Sequence, residues 1–153
     1  MTIASTALSD IDIDMKKILF VCTGNTCRSP MAQEIFNDLA PEGYKASSAG
    51  ITATDGRKIS ENSLAALKEI GLSCTHTSER LTEDHMKEYD IIVGITSDHA
   101  RVITQLYPDY RDKIFAFPCD VSDPYGGDIV LYRRCRDKIT EGVKSIIEAL
   151  KNE

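Results

Sequence analysis

The segment from Cys22 to Arg28 combines a nucleophile, an anion-binding side chain and the residue types of a tight turn. A cysteine thiolate can attack a phosphoryl group, and an arginine guanidinium can bind phosphate oxygens through two parallel hydrogen bonds. Gly24 and Asn25 tolerate the unusual backbone angles that point successive N–H groups inward. We therefore expect an anion cradle that also stabilises a Cys22 thiolate.

The elements on either side of this turn determine how it is held. Ile18 to Cys22 is a continuous apolar run, typical of a strand buried on both faces of a parallel sheet. Beyond the turn, apolar residues recur at helical spacing from Ala32 to Leu39. We expect Ser29 to cap this helix and Pro30 to be its first residue. The turn then lies at a helix amino-terminus, where the helix dipole favours an anion.

The rest of the chain continues to alternate between strand-like and helix-like segments. Further strands are expected over Tyr44–Ser48, Ile91–Ile95 and Ile114–Phe117. Further helices are expected around 64–70, ended by Gly71, over 97–106, and along an apolar stripe from 135 to 150. This alternation predicts an α/β fold: a doubly wound, mostly four-stranded parallel sheet with helices on both faces. Ligands of such sheets bind at the carboxyl ends of the strands, where the loop after strand 1 lies.

Composition narrows the class of protein further. The chain has 153 residues, and 18 Lys+Arg against 24 Asp+Glu give a net charge of −6, which argues against a nucleic-acid partner. The longest apolar runs are too short to cross a membrane. The five cysteines are odd in number and scattered, which favours a reducing cytoplasm over a secreted disulfide framework. We expect Cys74, Cys119 and Cys135 to be packing residues.

The amino-terminal segment differs in composition from the rest of the chain. Residues 1–14 contain no Lys or Arg and no apolar stretch of useful length, so they do not resemble a secretory signal. We interpret them as a flexible extension or an expression remnant, with an arm packed on the domain as the alternative. Residues 15–153 are expected to form a single domain.

Three stretches together carry a resemblance to a known family. They are VCTGNTCRSPMA at 21–32, SAG at 48–50 and DPYGG at 123–127. The first resembles the phosphate-binding loop of the low-molecular-weight protein tyrosine phosphatases, whose hallmark is Cys, five residues, Arg, then Ser or Thr. The chain resembles that family in order over residues 16–151, and most closely its bacterial protein-arginine phosphatase branch.

The resemblance implies roles for individual residues. Cys22 would be the nucleophile, and Arg28 would bind the phosphate and stabilise charge in the transition state. Asp123 would protonate the leaving group and then activate water against a phosphocysteine. Ser29 would donate a hydrogen bond to the Cys22 thiolate, and Tyr125 would line the pocket rim and stack on the substrate side chain.

The remaining loop residues and two distant ones complete the predicted site. Asn25 would hold the shape of the loop, with Ser48 and His76 as its expected partners; an exposed loop histidine is the alternative for His76. The other predicted binding residues of the loop are Thr23, Gly24, Thr26 and Cys27. Cys27 would also trap an oxidised Cys22 as a reversible disulfide, unless it simply packs. No metal or other cofactor is expected, because Arg28 and backbone amides would neutralise the phosphate.

The substrate depends on one position in the loop. The resemblance implies a branched aliphatic residue after Gly-Asn in tyrosine phosphatases and a threonine in arginine phosphatases, and here Thr26 follows Asn25. This favours phosphoarginine in proteins, with phosphotyrosine as the close alternative and inorganic phosphate as the product. More distant alternatives are an arsenate reductase, a carrier of phosphocysteine and a non-catalytic phosphopeptide-binding module.

Overall fold

The computed structural model describes residues 15–152. The prediction of a flexible extension concerns residues 1–14, which lie outside the described residues. The strands are β1 (Lys16–Cys22), β2 (Tyr44–Gly50), β3 (Ile91–Gly94) and β4 (Ile114–Ala116). The helices are α1 (Arg28–Leu39), α2 (Glu61–Lys68), α3 (Glu83–Glu88), α4 (Ser97–Leu106) and α5 (Ile129–Lys151), with a 3₁₀ helix over Pro108–Lys113.

The four strands form one parallel sheet in the order β2-β1-β3-β4. In its register, Cys22 at the end of β1 pairs with Gly50 of β2, and Val21 pairs with Gly94 of β3. The chain winds to one side of β1 and then to the other, so the sheet has its switch point between β1 and β3. The doubly wound fold predicted from the sequence is confirmed, and the end of β1 lies where ligands bind in such sheets.

The side chains of β1 alternate between two apolar cores. Ile18, Phe20 and Cys22 face the core shared with α1, α2 and α5, whereas Leu19 and Val21 face the core shared with α3 and α4. All five are almost fully buried, as expected of a central strand covered by helices on both faces. This alternation turns the Cys22 side chain toward the amino-terminus of α1.

The start of α1 corrects one prediction. The helix begins at Arg28 with Cys27 at the cap position, where no side chain caps it. Ser29 is therefore not the cap and Pro30 is not the first helical residue, because the Ser29 hydroxyl is already bonded to Cys22 and Asn25. Pro30 still falls in the first turn, where its missing N–H costs no helical hydrogen bond.

Other boundaries also differ from the predictions. β4 ends at Ala116 rather than Phe117, and α2 ends at Lys68 before a turn in which Gly71 has φ of 80°. The short helix α3 and the 3₁₀ helix were not predicted. Each has only six residues, which is too short a segment to show an apolar periodicity. Within the described part of the chain, none of the helices is both long enough and apolar enough to span a bilayer.

Candidate active site

A cavity of about 200 Å³ opens at the carboxyl end of β1. Its lining consists of the loop after β1 together with two residues of the segment before α5: Cys22, Thr23, Gly24, Asn25, Thr26, Cys27, Arg28, Asp123 and Tyr125. The structure thus brings the predicted nucleophile, anion-binding arginine and acid to one cavity.

The backbone of residues 23–27 is arranged to bind an anion. The carbonyls of Cys22 and Thr23 accept hydrogen bonds from the N–H groups of Ile51 and Thr52, at 2.9 and 3.0 Å. The Thr26 carbonyl accepts from the Ser60 N–H at 2.9 Å. In the described part of the chain, the N–H groups of residues 23–27 have no protein acceptor. Donors left unpaired in a tight turn at a helix amino-terminus form a binding site for phosphate oxygens.

Two residues let the loop adopt this conformation. Asn25 has φ of 58°, in the left-handed region that asparagine enters more readily than most residues. Gly50 lies directly behind the loop, where an added Cβ would be 2.7 Å from the Thr23 carbonyl oxygen and 2.9 Å from the Asn25 nitrogen. Any side chain at Gly50 would therefore displace the loop backbone. The sequence pointed to Gly50 only as the last residue of the SAG stretch.

The Cys22 thiol lies at the buried end of the cavity. Cys22 is 3% exposed, and its Sγ is 2.9 Å from the hydroxyl oxygen of Ser29, as the resemblance implied. The side-chain amide of Asn25 donates to the same oxygen at 2.8 Å. The Ser29 hydrogen can then point to Cys22 Sγ, which is closer than its other acceptor, the Ala49 carbonyl at 3.5 Å, and a bond to Cys22 stabilises a thiolate.

Asn25 is held from the other side by residues distant in sequence. Its Oδ1 accepts from His76 Nε2 at 2.8 Å and from the Glu79 backbone N–H at 2.9 Å. Burial lowers the pKa of His76, which favours the neutral ring. The structure thus contains the predicted contact between Asn25 and His76.

The predicted contact between Asn25 and Ser48 is wrong. Ser48 is fully buried and donates instead to Gln33 Oε1 of α1 at 2.6 Å. Among residues 15–152, no hydrogen bond joins Ser48 to Asn25. The pleat of β2 aims the Ser48 hydroxyl at α1, where Gln33 already supplies an acceptor.

Arg28 connects the loop to the segment that carries the predicted acid. It is 6% exposed, and its Nη1 donates to the Val121 carbonyl at 2.9 Å. Its Nη2 lies 3.7 Å from Asp123 Oδ2, while the Tyr125 N–H donates to Asp123 Oδ1 at 3.1 Å. Tyr125 is 81% exposed, so its ring stands at the rim of the cavity. The carboxyl group of Asp123 therefore faces the cavity from the side opposite the loop.

Thr26 and Cys27 occupy different environments. Thr26 is half-buried and lines the cavity, with its hydroxyl 3.9 Å from Cys27 Sγ. Cys27 is buried and directs its thiol toward Ser60 Oγ at 3.4 Å and the Tyr132 hydroxyl at 3.6 Å. Both Cys22 and Cys27 are free thiols.

Sequence reasoning missed His99, which contacts the loop from α4. This buried histidine is the third residue of α4, and its Nε2 lies 3.0 Å from Thr23 Oγ1. Burial and the positive charge of Arg28 lower its pKa to about 4. The Thr-x-x-His pattern from Thr96 to His99 marks a helix start, but nothing local shows that the ring reaches another segment.

A buried cysteine in a phosphate-binding loop, an arginine clamp and a facing carboxylate on a doubly wound sheet define the class of cysteine-based phosphatases. The family model described as "Low molecular weight phosphotyrosine protein phosphatase" matches residues 17–153. The chain belongs to this family.

Individual relatives give a finer comparison. A protein-arginine-phosphatase of Bacillus subtilis is 37% identical over 146 residues, covering 89% of this chain and 97% of that protein. An arsenate reductase of Staphylococcus aureus is 34% identical, covering 83% of this chain and 92% of its own length. A solved YwlE arginine phosphatase, in a mutant form with a phosphorylated active-site serine, has a TM-score of 0.85 and 35% identity and covers 90% of this chain and 97% of that one.

Proposed function

We propose that this protein removes phosphate from phosphorylated side chains of proteins, with phosphoarginine as the preferred substrate and a phosphocysteine at Cys22 as the intermediate. The observation that carries the proposal is the single cavity in which the Cys22 thiol faces unpaired backbone N–H groups, Arg28 and Asp123. Inorganic phosphate is the product, and phosphorylated proteins are the partners. The structure solved for a relative with a phosphorylated active-site serine supports a phosphoenzyme at the nucleophile's position.

In the first step, the Cys22 thiolate attacks phosphorus, and an S–P bond forms as the bond from phosphorus to the leaving nitrogen or oxygen breaks. The Asp123 carboxyl group gives its proton to that leaving atom. Protonation matters most for phosphoarginine, since guanidine is a much stronger base, and so a poorer leaving group, than the phenolate of tyrosine. Arg28 and the N–H groups of residues 23–27 bind the phosphoryl oxygens as their charge changes.

In the second step, water attacks the phosphocysteine and gives a proton to the Asp123 carboxylate. The S–P bond breaks, orthophosphate leaves, and the Cys22 thiolate is restored. The Ser29 hydroxyl, 2.9 Å from Cys22 Sγ, donates to the departing sulfur and lowers the barrier for this step. Asp123 ends the cycle protonated and ready for the next substrate.

The preference for phosphoarginine rests on Thr26. Thr26 lines the same cavity as Cys22, and a hydroxyl there can bond to an attacking water or to a polar guanidine. A branched aliphatic side chain at this position would instead favour the apolar ring of phosphotyrosine. The 37% identity to a protein-arginine-phosphatase supports the same choice.

The deciding experiment compares kcat/KM on matched phosphoarginine and phosphotyrosine peptides for the wild type, Thr26→Ile and Thr26→Ser. We expect the wild type and Thr26→Ser to prefer phosphoarginine and Thr26→Ile to shift toward phosphotyrosine. Cys22→Ser should lose turnover of both peptides, which assigns both activities to one cavity. A wild-type preference for phosphotyrosine would make the chain a tyrosine phosphatase and reduce Thr26 to a tolerated variant.

Arsenate reduction is the second candidate, because relatives in Staphylococcus aureus and Staphylococcus saprophyticus carry that name. A reductase of this kind passes oxidation between thiols, which requires a second accessible thiolate. Burial raises the pKa of Cys74 and of Cys135 to about 12, so both stay protonated at neutral pH. Neither of these two thiols suits such a relay, which leaves Cys27 and Cys119 as the other free thiols. We expect no arsenate-dependent consumption of a dithiol reductant under conditions in which phosphopeptides are hydrolysed, and Cys27→Ser and Cys119→Ser test whether either thiol contributes to any that is found.

A further inference from the structure

Two loop residues on either side of Gly24 each contact a histidine from another part of the chain. Asn25 is bonded to His76, and Thr23 is bonded to His99 Nε2 at 3.0 Å. The mechanism proposed above does not use His99. His99 is 8% exposed, although Thr23 itself is exposed at the rim of the cavity.

The hydrogen bonds around His99 determine where its proton lies. The Thr96 backbone N–H donates to Nδ1 at 3.2 Å, so Nδ1 is the unprotonated nitrogen. Nε2 therefore carries the hydrogen and donates it to Thr23 Oγ1. Burial and the positive charge of Arg28 lower the pKa of His99 to about 4, against the opposing effect of the nearby carboxylates of Asp98, Asp120 and Asp123. The ring is neutral at physiological pH and keeps this donor.

We infer that His99 is a positioning residue that aligns the phosphate-binding loop by donating to Thr23, the residue after the nucleophile. This inference rests on the proposed function. The contact ties the start of the loop to the amino-terminus of α4, as His76 ties the loop at Asn25. Aligned N–H donors bind the transition state more tightly than the bound substrate, since charge on the phosphoryl oxygens shifts as the reaction proceeds. Loss of the contact should lower kcat more than it raises KM.

A second histidine in the chain provides a matched control. Thr82 and His85 begin α3 as Thr96 and His99 begin α4, with the histidine Nδ1 accepting from the threonine N–H in both. The far side of the ring differs, because His85 Nε2 faces Glu79 Oε1 at 3.3 Å, and only in α4 does the threonine hydroxyl also accept from the histidine backbone N–H. Substitution of His85 therefore removes the same capping contact without touching Thr23.

Two substitutions of His99 distinguish the capping contact at Nδ1 from the contact of Nε2 with the loop. His99→Asn keeps an acceptor near the position of Nδ1, and His99→Gln keeps a donor near the position of Nε2. With para-nitrophenyl phosphate, we expect His99→Asn to lower kcat about tenfold or more and to change KM less than about threefold. His99→Gln should recover most of the lost kcat, and His85→Asn should retain the wild-type value.

Variants of Thr23 test the same contact from the loop. Thr23→Val removes the acceptor, whereas Thr23→Ser retains it. We expect Thr23→Val to lower kcat as His99→Asn does, and the double variant to lose little more than either single variant. If His99→Asn does not fold, the comparison of kcat between Thr23→Val and Thr23→Ser still tests whether the contact between His99 and Thr23 supports catalysis.

Vanadate binding separates failure of this inference from failure of the proposed function. Vanadate mimics the transition state of phosphoryl transfer, so His99→Asn should weaken its binding more than that of orthophosphate. A wild type without phosphatase activity overturns the proposed function, and vanadate titration of the same variants then still tests the role of His99. Equal kcat for His99→Asn and His85→Asn, additive losses in the double variant, or unchanged vanadate affinity in His99→Asn would overturn the inference.

Discussion

Asn25 Nδ2 lies 2.8 Å from Ser29 Oγ, and this bond determines which way the serine hydroxyl points. The Glu79 N–H donates to Asn25 Oδ1, which fixes the orientation of the amide. Since Nδ2 can only donate, the serine oxygen accepts, and its hydrogen is free to point to Cys22 Sγ at 2.9 Å rather than to the more distant Ala49 carbonyl at 3.5 Å. The polarity of one loop side chain thereby supports a thiolate at the nucleophile.

Reversing that polarity should impair catalysis. In Asn25→Asp, a carboxylate would accept the Ser29 hydrogen and bring negative charge near the thiolate, so we expect kcat to fall about a hundredfold. Ser29→Ala should lower kcat about tenfold and make the phosphoenzyme accumulate in rapid-quench experiments, because the departing sulfur loses its donor. Asn37→Asp, which changes an exposed asparagine of α1 that is bonded to the β2 backbone, is the control for the substitution itself. Equal kcat for Asn25→Asp and Asn37→Asp would contradict the argument.

The leaving group should reveal the role of Asp123. We expect Asp123→Asn to lower kcat by about 10²- to 10⁴-fold on phosphoarginine peptides. The loss should be smaller on para-nitrophenyl phosphate, whose leaving group needs little protonation. Asp120→Asn removes the same charge from the same segment, where Asp120 accepts from the Ser97 N–H, and should leave kcat near the wild-type value. An equal loss on both substrates in Asp123→Asn would exclude a role in protonating the leaving group.

The buried His99 ring should make stability depend on pH. Its pKa is about 4 in the folded protein and about 6.5 in the unfolded chain, so the unfolded state binds more protons between these values. The free energy of unfolding therefore falls as pH decreases from about 6.5 to 4, by roughly 3 kcal/mol at most from this group. His76, whose pKa is also lowered, acts in the same direction.

Urea denaturation of the wild type and His99→Gln at pH 7 and pH 4.5 measures this contribution. The variant should lose less stability than the wild type over that interval, because its side chain does not titrate. Carboxylates contribute to both proteins and largely cancel in the comparison. The same loss in both proteins would show that the His99 ring is not kept neutral by the fold.

Mild peroxide should inactivate the protein reversibly. Peroxide oxidises the Cys22 thiolate to a sulfenic acid, which condenses with the Cys27 thiol to a disulfide and releases water. A dithiol reductant should restore activity, whereas Cys27→Ser should progress to irreversible oxidation. Mass spectrometry of the peptide containing both cysteines reports the bond. Equal recovery of the wild type and Cys27→Ser after prolonged exposure would argue against Cys27 as the partner.

The loop and its flanking elements could be predicted because the relevant information is local. The apolar run of β1, the Gly-Asn turn and the helical spacing of α1 all lie within about twenty residues. The start of α1 could not be located, since the cap rule assumes that a serine hydroxyl bonds to its own helix. Here the Ser29 hydroxyl bonds to Cys22 and Asn25 instead, and these partners come within reach only when the loop has folded.

The sequence by itself determined the order of the four strands and the four longer helices, the spacing of Cys22 and Arg28, and the resemblance that pointed to Asp123. Of the distant side chains that hold the loop, the resemblance pointed to His76, and the tertiary structure decided the others. Ser48 turned out to bond to Gln33, and His99 reaches Thr23 across 76 residues of chain. Periodicity reports which face of an element is buried, but not which element lies opposite it. That is decided by the strand order, which places α4 beside the loop at the end of β1.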